Sequence, residues 1–183
     1  MKQSTSYEIQ RVLQEMREEY WRGLDAVEAA AVGETADYLV LRLGGERFGF
    51  ATTLTREVLR APKLVRVPQV PPHIRGVINL RGQIVAVTDL AQVLGLGETA
   101  VTAGTRLVVV EAGGLITALL SDEVEGIVTI PLATIEPLTE GLARIPRETV
   151  TGQIPGPDGM LVLLDLPRLF SHSQFVIEQK KGD

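Results

Sequence analysis

The 183-residue chain has no cysteine, two histidines and 4% aromatic residues, and each shortage removes a class of answers. Without thiols there can be no disulfide, thiol nucleophile or cysteine-ligated metal, which fits a reducing compartment. His73 follows the turn at Pro71-Pro72 and His172 lies in a polar C-terminal stretch. No further ligand spacing joins them, so no metal site is expected. Phosphate loops, nucleophile elbows and His-Glu-x-x-His motifs are missing too. The glycine pairs Gly44-Gly45 and Gly113-Gly114 run into strand, not into a phosphate-binding helix. A formal net charge of -5 offers no basic face to nucleic acid. No apolar run approaches the ~20 residues of a membrane span, and Met1-Lys2-Gln3-Ser4 is unlike a secretory signal. We therefore expect a soluble, cytoplasmic protein without membrane insertion. Asp122, Glu123 and Glu125 are the one acidic group that invites a paired-carboxylate reading, and a solvated hairpin edge accounts for it better. No catalytic residue, metal or cofactor is expected.

What is present is a repeat. Gln83-Ile84-Val85-Ala86-Val87-Thr88-Asp89-Leu90 returns as Gly159-Met160-Leu161-Val162-Leu163-Leu164-Asp165-Leu166, 76 positions on from Asp89 to Asp165. Upstream the offset is 69: Leu39-Val40-Leu41 falls on Val108-Val109-Val110, Gly44-Gly45 on Gly113-Gly114, Val58-Leu59 on Ile127-Val128, and Pro62 on Pro131. One slip of seven residues reconciles the two offsets. A unit of roughly 65 to 75 residues is used twice.

Within the units, strands are expected at Tyr38–Leu43, around Phe48-Gly49-Phe50, at Thr55–Leu59, at Leu64–Val67 and on both sides of the later turns. Gly49 marks a bulge or a close backbone approach. Asp89 is placed to cap a helix carrying Leu90, Val93 and Leu94. Residues 97–104 are the best boundary between units, 135–147 an irregular connection, and Pro157-Asp158-Gly159 the last hairpin turn. About ten short strands argue for an all-β fold of small closed barrels. Barrel one is expected at about 36–96 and barrel two at about 104–170, with an exchange of ends between them left open. Before them, Ile9, Leu13, Met16, Tyr20, Leu24, Val27 and Ala31 recur at helical spacing, so residues 1–35 carry an amphipathic helix. It either covers a barrel end or pairs with another chain. Residues 171–183 read as a polar tail.

One asymmetry between the copies stands out. Arg81 in Asn79-Leu80-Arg81-Gly82 has no cationic counterpart in Gly156-Pro157-Asp158. It either serves a task of the first copy or pairs with a nearby surface carboxylate; guanidinium suits interfaces because its planar fork can pair with carboxylates when partly dry.

The stretch His73-Ile74-Arg75-Gly76-Val77-Ile78-Asn79-Leu80-Arg81-Gly82-Gln83-Ile84-Val85-Ala86-Val87-Thr88-Asp89-Leu90 resembles the central signature of the CheW family of bacterial chemotaxis coupling proteins. The likeness runs from about Tyr38 to Phe170. It includes Phe48-Gly49-Phe50, Arg56-Glu57-Val58, and Ser121-Asp122-Glu123-Val124-Glu125-Gly126-Ile127, which is similar to the family's Val-Asp-x-Val-x-x-Val. The resemblance implies tandem five-stranded barrels of the Src-homology-3 type in a CheW-like domain over 36–170. It also implies a scaffold without catalysis that links the coiled-coil tips of chemoreceptors to the regulatory domain of a CheA-type histidine kinase. Carried over, Gly76 and Arg81 fall near the groove between barrels, and Glu57 with Val58 on the receptor-facing segment; the kinase would dock on a barrel end. Ala86 and Thr88 depart from the family's usual proline and apolar residue. The N-terminal helix, similar to an extension in some members, makes an adaptor of a non-flagellar chemosensory-like pathway one alternative, and the length leaves no room for fused kinase or receiver modules. A small-molecule sensor binding in the groove is the other alternative.

Overall fold

The computed structural model describes residues 14–18, 33–139 and 145–172. Ten strands carry the fold: β1 Thr35–Leu43, β2 Glu46–Ala51, β3 Thr55–Arg60, β4 Ile74–Leu80, β5 Gln83–Asp89, β6 Arg106–Ala112, β7 Leu115–Ser121, β8 Glu123–Pro131, β9 Val150–Gly156 and β10 Gly159–Leu164. Short helices follow β5 at Leu90–Val93 and β10 at Leu166–Ser171. Of the expected N-terminal helix only 14–18 are described; they are helical and exposed. Its remainder, residues 140–144 of the expected connection, and the tail beyond His172 lie outside the described residues.

The strands form two five-stranded sheets, ordered β8-β1-β2-β10-β9 and β3-β6-β7-β5-β4. Applying the two sequence offsets to the first order generates the second. The match extends to register: Tyr38 pairs with Ala51 as Leu107 pairs with Leu120. Leu163 lies beside Gly49 as Val87 lies beside Ala118, both in parallel pairs. Each sheet thus combines the first two strands of one copy with the last three of the other. The crossings are made at Thr52–Leu54 and at Asp122.

Alternation along the central strands explains their unbroken apolar runs, since both faces are buried. From β1, Leu39, Leu41 and Leu43 join Val108, Val110 and Leu119 in a core between the sheets. Tyr38 and Val40 instead join Ile130, Leu161 and Leu163 in a core belonging to the first sheet. Leu107 and Val109 do the same for the second sheet with Ile78, Val87 and Leu120. Gly49 is needed here for a close approach, not a bulge, because a Cβ would lie 3.2 Å from a Leu163 methyl.

Four expectations change. The hydrogen-bonded ladders do not close, and each sheet keeps two edge strands. Leu64–Val67 is not a strand; a single bridge, Val65 to Val77, pins it across the edge of β4. The bridge between Glu136 and Gln153 straps β9 in the same way. Such straps blunt edges that would otherwise recruit foreign strands.

Asp89 occupies the N-cap position without capping. Its buried carboxylate instead accepts from the Thr99 amide and hydroxyl and from Arg75 Nη1, at 2.8–2.9 Å. Those bonds pin the connection between the two copies to the foot of β5. Asp165, its repeat counterpart, does cap its helix, accepting from the Arg168 amide at 3.0 Å. Finally, the acidic group is only partly a solvated edge: Asp122 accepts from the Gly44 amide at 2.8 Å, and Glu125 is held by two arginines.

Candidate functional site

The turn joining β4 to β5 has both central residues at positive φ, Arg81 at 51° and Gly82 at 87°. That is what a two-residue hairpin turn of the mirror-image type demands. Glycine enters that region freely, whereas a residue with a Cβ is disfavoured there by about 1–2 kcal/mol. The Asn79 side-chain oxygen accepts from the Gly82 amide at 2.8 Å, which steadies the turn. Arg81 is thus held in a conformation its backbone disfavours, and such observed strain points toward function.

From that turn Arg81 Nη2 donates to Glu57 Oε2 at 3.0 Å. The partners come from opposite ends of the sheet order, Glu57 on β3 and Arg81 beyond β4. Only a sheet rolled around its own core brings them together. The Arg81 side chain stays 81% exposed while that of Glu57 is 26% exposed. Below them is a cleft of about 290 Å³, lined by apolar Leu80, Val109 and Ile116 and by charged Arg56, Glu57 and Arg81. Arg56 forms its own ion pair with Glu111 on β6. The cleft therefore offers an apolar floor, two guanidiniums and one carboxylate, chemistry that suits a protein segment. Among the described residues no group of three His, Cys, Asp or Glu side chains could hold a metal ion.

Of the four residues expected to face a receptor, the structure brings Glu57 and Arg81 into contact. Val58 is their neighbour on β3 but lies on the alternate face, 42% exposed. Gly76 is buried on β4 and lines no part of the cleft. Its φ of 147° and the Val65 carbonyl, which an added Cβ would strike, make it the seat of the strap. Arg56, Val109 and Ile116 are cleft residues the sequence did not single out. A signal existed in the repeat. Ile116 corresponds to Arg47, and where Ile116 gives the cleft of the second sheet an apolar wall, Arg47 in the first sheet is bound to Glu125 at 2.7 Å. Thr88, the polar departure from the family pattern, is buried and satisfied: its hydroxyl meets that of Thr117 at 2.8 Å, and Thr117 donates to the Ala86 carbonyl.

These contacts set a pH dependence. The hydrogen bond from Arg47, with the charge of Arg42 beside it, holds the Glu125 carboxyl below its ordinary value of 4.5. Burial holds His73 below 6.5. A depressed carboxylate contributes stability above its unfolded value and loses it as pH falls through the folded one. A depressed histidine lets the unfolded chain take up a proton first, so stability also falls with acidification, starting near pH 6.5. Urea midpoints should thus decline in two stages, and Glu125→Gln should flatten the stage below pH 4.5 alone. An unchanged acid limb in that variant would remove Glu125 from the account.

The CheW-like domain family profile matches residues 37–174. The chain is 27% identical over 157 residues to "Chemotaxis protein CheW" of Klebsiella aerogenes, a match covering 85% of this chain and 94% of that one. It is 34% identical over 113 residues to "Protein FrzA" of Myxococcus xanthus, covering 62% of this chain and 71% of that relative. The crystal structure of scaffolding protein TtCheW from Thermoanaerobacter tengcongensis superposes with a TM-score of 0.68 at 28% identity, over 77% of this chain and 91% of the other. Among the described residues no helix is long and apolar enough to cross a membrane.

Proposed function

This chain belongs to the CheW-like domain family, and from that premise we propose that it is a non-catalytic coupling protein of the bacterial cytoplasm. It joins the coiled-coil tips of chemoreceptors to the regulatory domain of a CheA-type histidine kinase. Its relatives named for chemotaxis and its scaffold neighbour support the adaptor role. The observation that carries the receptor side is the Glu57–Arg81 pair above an apolar cleft, because a helical hairpin tip presents apolar side chains flanked by charge. In this reading Glu57, Val58 and Arg81 meet the receptor directly, and Gly76 acts from below.

We read residues 36–170 as one domain in which each rolled sheet is a barrel of the Src-homology-3 type with three strands exchanged between copies. Support comes from the separate core inside each sheet and from the Glu57–Arg81 contact across its edges.

Arg81→Asp sets a second carboxylate beside Glu57. It should weaken receptor binding by more than about 1 kcal/mol, because interface arginines carry a large share of binding energy. The melting temperature should hardly move, since the side chain is mostly exposed. Calorimetry with the receptor's cytoplasmic hairpin measures the first, and equal binding by the variant would take Arg81 out of the interface. The coupling role itself fails if the cognate kinase's regulatory domain does not bind at micromolar concentrations and receptor-stimulated phosphorylation is unchanged without this protein.

A further inference from the structure

Charge along the chain is segregated. Between Val58 and Thr88 there is no acidic residue, while Arg60, Lys63, Arg66, Arg75 and Arg81 all fall there, in a chain of net charge -5. Arg75 and Arg81 are neutralised, by Asp89 and Glu98 and by Glu57. Arg60, Lys63 and Arg66 are exposed and have no ion-pair or hydrogen-bond partner among the described residues. Arg60 also sits directly across the ladder from Arg106, where like charges repel. Between and beside these cations lie Val65 at 63% and Val67 at 37% exposure, on the strap whose backbone is fixed to β4. Unpaired like charges around exposed valines lower the stability of an isolated chain and suit one that meets an opposite charge.

We propose that the strap together with the end of β3 leading into it, residues 60–67, is a second docking surface, separate from the cleft, for an acidic amphipathic segment of a partner protein. The partner's apolar side chains cover Val65 and Val67, and its carboxylates pair with Arg60, Lys63 and Arg66. The net negative charge of the rest of the molecule confines such a partner to this surface by repelling it elsewhere.

The test uses the full chain and a labelled helical peptide with a leucine stripe flanked by glutamates, followed by fluorescence anisotropy. The wild type should bind it, more weakly as salt rises. The exposed-residue variant R60E/K63E/R66E should lose about tenfold or more in affinity and gain affinity for the same peptide with lysines replacing the glutamates. V65S/V67S should weaken binding of the striped peptide but not the residual attraction of a scrambled peptide of equal charge. Arg81→Asp, which tests the cleft, should leave all of these values unchanged, so the two surfaces fail independently. No binding by the wild type, equal binding of striped and scrambled peptides, no loss in the reversed-charge variant, or preference for phosphatidylserine vesicles over the peptide would each overturn the proposal.

Discussion

Asp89→Ala should destabilise the protein by about 3–5 kcal/mol, the range for removing one partner of a buried charge pair, whereas Asp165→Ala should cost about 1 kcal/mol, the usual loss of a helix N-cap. The two residues are repeat counterparts and look interchangeable in sequence. Their surroundings are not. Asp89 is fully buried, and its removal leaves the Thr99 amide and hydroxyl without their acceptor and the 18%-exposed Arg75 guanidinium without its buried counter-charge. Arg75 keeps only the Thr99 carbonyl and the exposed Glu98. Asp165 is partly exposed and gives up one amide bond and a weak contact with Arg168. Urea denaturation of both variants measures the contrast, and hydrogen exchange locates it. Amides of the connection between copies should lose protection in the Asp89 variant alone. Equal losses at the two positions would mean that the Arg75–Asp89–Thr99 cluster contributes no more than a cap.

Much of this architecture was legible because a repeat is a statement about register. The offsets of 69 and 76 that align the two copies are the offsets that map one sheet's pairings onto the other's. The exchange of strands was not legible. A repeat shows which residues are equivalent, but β2 can lie beside β5 or beside its copy β10 with the same local chemistry. The choice is made by the crossings at Thr52–Leu54 and Asp122 and by which apolar faces end up between the sheets. The strap departs from its pattern for a related reason: Leu64-Val65-Arg66-Val67 alternates like a strand, yet the prolines on either side leave it room for one bridge only. Asp89 does not cap because capping is a local signal, and its bonds to residues 10 and 14 positions away outweigh it. For the site, Arg81 was visible as a cation missing from the other copy. Its pairing with Glu57, 24 residues upstream, depended on the sheet rolling up and could not be read from spacing.

The same geometry assigns Gly76 a role that its place in the family signature does not reveal. Gly76→Ala should cost about 2–4 kcal/mol, combining a φ that side chains rarely adopt with the loss of strap hydrogen bonds worth about 1 kcal/mol each. A methyl group here meets the carbonyl of Val65, which is backbone and cannot rotate away. The strap must lift, giving up the two bonds between Val65 and Val77 at 2.9 and 3.2 Å. At Gly152, the counterpart on β9, an added Cβ would lie 2.7 Å from the Glu136 carbonyl oxygen and would also strike a methyl of Ile135. Its φ is not in the strained region, so although the Glu136 carbonyl must yield as the Val65 carbonyl does, Gly152→Ala should cost less. Hydrogen exchange distinguishes the two: the Val65 and Val77 amides should open in the first variant, and those of Glu136 and Gln153 in the second. The functional consequence differs from that of a surface contact. A lifted strap changes how Val65 and Val67 are presented and loosens β4, which leads into the Arg81 turn, so any loss of receptor binding should accompany a loss of stability. If Gly76→Ala instead lowered receptor binding at an unchanged melting temperature and unchanged Val65 and Val77 protection, Gly76 would be a contact in its own right and the strap would be only a cover for the edge of β4.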